Sequence, residues 1–221
     1  MRQFASRYGS VRSVAVKRLL GRVGFATVVL LAAAQTADAH IVASRLGDFY
    51  AGALHPLTDL QDGVLWTALG LLAGSLGATH GRWLVLVLPP GLLLGLSVGL
   101  SVGSTWIAPL ASAAMMVVLG LLVALGLRIN VAALCVITLV LAFMRGVVNA
   151  GGAGAATDRV LFGAGVAMCG YAFIALITAL TIAFRRLDAQ PSGTWRDIAI
   201  RACGSWITAI GLMAGGFALA S

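Results

Sequence analysis

The sequence predicts an all-α fold, a polytopic membrane bundle of six transmembrane helices that follows a signal peptide. Three observations carry that prediction. The 221 residues are 60% hydrophobic and only 10% charged, with a mean hydropathy of +1.01, no Glu and a single Lys. So few charges could not cover a soluble domain, so lipid must be the solvent for most of the chain. Six apolar runs of about twenty residues recur along it, joined by short polar or glycine-rich turns.

The first element is the leader. Six of the fifteen basic residues lie before Phe25, an apolar run spans Phe25 to Ala34, and Ala37-Asp38-Ala39 has the small-x-small pattern of a signal-peptidase site. The apolar run is short for a membrane crossing, which favours cleavage after Ala39 over a retained anchor. Residues 1–39 are then a signal peptide, and 40–221 form a single six-helix domain. Without the leader, nine basic and six acidic side chains remain, about +3, and nucleic-acid binding loses its support.

The expected spans are 59–78, 83–103, 107–127, 130–148, 160–184 and 198–219. Turns are marked by Thr79-His80-Gly81-Arg82, Ser104-Thr105-Trp106, Arg128-Ile129-Asn130, the glycine-rich Asn149 to Asp158, and Arg185 to Thr194. Connections this short set each helix antiparallel to its predecessor. With the mature N-terminus outside, the inner loops carry Arg82, Arg128, Arg185, Arg186 and Arg196, with Arg201 close by, against Arg45, Arg145 and Arg159 outside. This agrees with the positive-inside rule and puts both mature termini outside a bacterial inner membrane. Gly70-x-x-x-Gly74, Gly91-x-x-x-Gly95 and Gly99-x-x-x-Gly103 are packing patterns. Pro89-Pro90 should kink or break the second span. Cys135, Cys169 and Cys203 fall one per helix without CxxC spacing and are packing residues. His80 belongs to an inner turn, solvated beside Arg82.

Candidate ligands gather before and within the first span. His55, Asp59 and Asp62 stand at i, i+4 and i+7, which on one helix puts an imidazole and two carboxylates on one face. That set suits Ni²⁺, Co²⁺, Zn²⁺ or Cu²⁺ better than Ca²⁺ or Mg²⁺. Against it stands a capping role, with Thr58 as N-cap and both aspartates at the positive end of the helix dipole. His40, as a mature N-terminus, offers an amine and an imidazole, and Asp48 adds a carboxylate on the same side. Arg145 and Asn149 lie one turn apart near the outer end of the fourth span. An intramembrane arginine requires a carboxylate, here Asp62 or Asp59, either as a structural ion pair or as a cation that yields to a metal.

These residues resemble the HupE/UreJ family of small membrane proteins. The resemblance is carried by the signal followed by His40, Leu46-Gly47-Asp48-Phe49-Tyr50-x-Gly52, His55, and Gly204-Ser205-Trp206-Ile207-x-Ala209-Ile210-Gly211. It is nearest to a divergent branch whose first helix has an acidic pair instead of Asp-His. It implies a nickel or cobalt permease, or an accessory protein of hydrogenase or urease. Metal-transporting members have Asp-His where this chain has Gln61-Asp62, and a histidine-rich segment where it has Phe143-Met144-Arg145-Gly146-Val147-Val148-Asn149-Ala150. Only His55 therefore carries over as a ligand.

Two functions from different classes follow. The first is a permease taking a divalent transition metal (Ni²⁺, Co²⁺ or Cu²⁺) at the outer face as substrate, with no permanently bound cofactor. The second is a non-transporting membrane subunit, assembly or metal-delivery factor, its His/Asp/Arg cluster structural and its partner a membrane complex. The phosphate-binding G-x-x-x-x-G-K-[ST] pattern is absent, so ion gradients or a partner would supply energy. An enzyme is not expected, since no nucleophile with a base or cofactor motif is present.

Overall fold

The computed structural model describes residues 47–102, 109–186 and 195–220, all within one compact unit, Val42–Ser221. Residues 1–39, expected to be a signal peptide, His40, the Ser104–Trp106 turn and Gly103 lie outside the described residues. So do residues 187–194, the whole of the turn after Arg186.

The described residues form seven α-helices and one 3₁₀ turn. These are α1 (Asp48–Thr58), α2 (Leu60–Leu76), α3 (Ala78–Val102), α4 (Pro109–Ala124), α5 (Val131–Asn149), the 3₁₀ turn Ala150–Gly152, α6 (Arg159–Arg186) and α7 (Trp195–Ala220). Helices α2 to α7 correspond one by one to the six apolar runs. Four segments are long and apolar enough to cross a membrane: α3, α5 with its 3₁₀ extension, α6 and α7. At 17 and 16 residues, α2 and α4 are shorter.

Several boundaries differ from the sequence expectation, each for a local reason. Helix α1 is an additional element: Gly47 opens it with a positive φ of 86°, and it contains Pro56. The helix does not run on into α2, because Asp59 is extended (φ −88°, ψ 108°). Asp59, not Thr58, caps α2, its Oδ1 accepting from the Gln61 N–H at 2.8 Å, while the Thr58 hydroxyl donates back to the His55 carbonyl. Thr79 to Arg82 are helical, since Gly77 alone, at φ 110°, makes the α2–α3 turn. Pro89 and Pro90 leave α3 unbroken, although each removes one intrahelical donor. Helix α4 closes in a Schellman arrangement, with Gly126 at φ 64°, its N–H on the Val123 carbonyl and the Leu127 N–H on the Leu122 carbonyl.

The closest helix packings are α3 with α5, α4 with α7, and α1 and α2 with α6, none adjacent in sequence. Small residues make these contacts possible. A Cβ on Gly95 would fall on the Phe143 carbonyl, and one on Gly146 would fall on the Leu92 carbonyl, so α3 and α5 touch backbone to backbone. Gly120 and Gly204 do the same for α4 and α7. Gly70 and Gly74 receive Ile177 and Thr181 of α6. The core between the helices is aliphatic, built around Leu65, Trp66, Leu69, Leu88, Leu141 and Phe162. The outer surface is apolar too, with Trp206, Met213 and Phe217 more than 70% exposed, as suits a bundle facing lipid.

Candidate functional site

Helix α5 begins at Asn130, whose side chain accepts from the Ala133 N–H at 2.7 Å, and its close packing on α3 through Gly146 fixes its rotation. That rotation turns Arg145 away from lipid and toward the start of α2. Arg145, Asp62 and Asn149 are all at most 1% exposed.

The guanidinium joins three helices. Its Nε donates to Asp62 Oδ1 at 2.7 Å, its Nη2 pairs with Asp59 Oδ2, and its Nη1 reaches Gln61 Oε1 at 3.2 Å and the Ser112 hydroxyl of α4 at 3.3 Å. Asn149 Nδ2 donates to Asp62 Oδ2 at 2.9 Å and to the Arg145 carbonyl at 2.8 Å. With the Gln61 N–H on Asp59 Oδ1, every oxygen of both carboxylates accepts a hydrogen bond. The charge-assisted contacts are the strong kind, and those to Asp62 lie in a fully buried setting, while Asp59 is half-buried. Asn149 Oδ1 is buried with no hydrogen-bond partner among the described residues.

Other candidates fall elsewhere. His55 is in the last turn of α1, its ring 6.1 Å from that of Phe162 and beneath Gly152, where a Cβ would lie 2.7 Å from the imidazole. The break at Asp59 separates it from the helix carrying Asp62, so the i, i+4, i+7 face does not form. Among the described residues no three His, Cys, Asp or Glu side chains gather as a metal-binding group. The Asp48 carboxylate accepts from the Asp158 N–H at 2.8 Å, tying α1 to the loop before α6, and Asp158 in turn caps α6 through Val160 and Leu161. His80 is half-buried in the first turn of α3, with Nε2 3.2 Å from the Ile129 carbonyl, rather than in a solvated turn. Gln61 and Ser112 complete the network without being among the sequence candidates. For Ser112 the available signal is a lone hydroxyl early in an otherwise apolar run.

No curated protein and no solved structure matches the chain. The family described as HupE / UreJ protein matches over residues 28–214, which is most of its length. By that match this helical membrane protein belongs to the HupE/UreJ family.

Proposed function

We propose that the chain is a membrane permease for a divalent transition metal, nickel or cobalt, taken up at the outer face. The HupE/UreJ family is associated with nickel and cobalt transport or accessory functions. The observation that carries the proposal is the Asp59–Arg145–Asp62 cluster, in which a buried Arg145 and a buried Asp62 meet a half-buried Asp59 within an apolar bundle. Ionisable groups at such depth cost enough free energy that function is their default explanation. In this reading Arg145 is an internal counter-cation that keeps the acidic pair closed. An incoming divalent ion displaces it, and Asn149 Oδ1, Gln61 and Ser112 offer further oxygens. His55 and His40 serve as nitrogen ligands on the approach, in the outer leaflet of a six-span topology whose termini face outward.

One observation favours a second reading, a non-transporting subunit or metal-delivery factor. All four carboxylate oxygens already accept from internal donors, which suits a permanent structural network. Metal uptake into sealed vesicles separates the two. The permease reading expects uptake of Ni²⁺ or Co²⁺ by the wild type that falls in Asp62→Asn and His55→Ala. Absence of uptake in the wild type, or no change in both variants, removes it and leaves the accessory role.

A further inference from the structure

At the end of the bundle opposite Arg145, a cavity of about 500 Å³ opens among the helix ends. Its polar lining is Ser75, His80, Arg128, Arg185, Asp197 and Arg201. Three guanidinium groups face one carboxylate, so the lining carries +2 with His80 neutral. Two of the arginines are anchored with donors to spare. Arg185 gives Nε to Asp197 at 2.9 Å and Nη1 to the Ser75 carbonyl, and Arg201 gives Nε to the Ala124 carbonyl at 2.7 Å. The Nη2 of Arg185 and both terminal nitrogens of Arg201 have no partner among the described residues, nor does the Arg128 guanidinium.

Beside this cavity an apolar groove of about 650 Å³ runs between α2, α6 and α7, past Leu71, Leu180, Phe184, Cys203 and Trp206. Ile200 lines both spaces, so the basic cavity and the apolar groove lie side by side. A basic chamber between helix ends with an apolar, lipid-facing groove beside it matches one amphipathic shape, an anionic phosphate head carrying an acyl chain. We propose that these two adjoining spaces together bind an anionic phospholipid, with its phosphate among Arg128, Arg185 and Arg201 and one chain in the groove between α2, α6 and α7. A free inorganic anion would satisfy the arginines but would leave the groove without a role.

Native mass spectrometry of the full chain in detergent tests this, with dioleoylphosphatidylglycerol, dioleoylphosphatidylcholine and sodium phosphate as probes. Two spare cationic contacts at about 1 kcal/mol each predict retention of the anionic lipid about tenfold or more over the zwitterionic one. Arg128→Gln, which breaks no hydrogen bond of the fold, and Arg201→Gln should each reduce that preference severalfold. Cys203→Trp, an exposed position on the groove, should lower retention of both lipids. Equal retention of the two lipids, or a preference unchanged in both arginine variants, overturns the proposal. Displacement of the lipid by phosphate at equal concentration, with Cys203→Trp silent, overturns the lipid in favour of a simple anion site.

Discussion

The two ends of the bundle use the same chemistry, arginine against aspartate, in opposite environments. At one end Arg145 is sealed between α2, α4 and α5, and Asp62 has no exposed surface. At the other, Arg185 and Asp197 pair with side chains 37% and 36% exposed, on the rim of an open cavity. Burial decides what each pair does. A sealed guanidinium cannot be removed without stranding the Asp62 carboxylate in a medium that does not solvate it, whereas the open pair exchanges its partner for water at little cost.

The comparison can be broken most severely at Arg145. Arg145→Met leaves Asp59 and Asp62 unpaired and should destabilise the fold by about 3–5 kcal/mol, read as a fall in thermal unfolding temperature in detergent. Replacing Asp59, Asp62 and Arg145 together with Asn, Leu and Met should recover most of that loss. A triple variant as unstable as Arg145→Met would show that the cost lies in packing rather than in stranded charge. Next comes the contact that aims the arginine: Gly146→Ala drives a methyl onto the Leu92 carbonyl and should cost about 1–3 kcal/mol as α3 and α5 separate. Asn149→Ala should cost about 1–3 kcal/mol, since Asp62 Oδ2 loses its donor in a buried site. The smallest effect belongs to the open end, where Asp197→Asn should change stability by about 1 kcal/mol or less, and added salt should shrink the difference further. An Asp197 effect as large as that of Asn149 would erase the contrast between the two ends.

Much of this architecture is legible in the chain. Apolar runs of span length mark α2 to α7, and the expectation that Arg145 needs Asp62 or Asp59 follows from the cost of an isolated charge in lipid. The break at Asp59 is less legible. Spacing of i, i+4, i+7 assumes one continuous helix, and whether the chain bends after Pro56 depends on Asp59 accepting from Gln61 while also pairing with Arg145. Ser112 and Gln61 are equally hidden, because a hydroxyl in an apolar helix is informative only once its facing residue is known.

Taken alone, the sequence determines that this is a membrane protein, where its helices run and that its few buried charges must find one another, because hydropathy and charge cost are local properties of residue type. Tertiary structure alone decides which partners meet. The backbone contact of α3 with α5 through Gly95 and Gly146 sets the rotation of Arg145, and the extended Asp59 turns His55 away from the acidic pair. Both are relations between segments distant in the chain or around a single bent residue, and no periodicity within one helix encodes them.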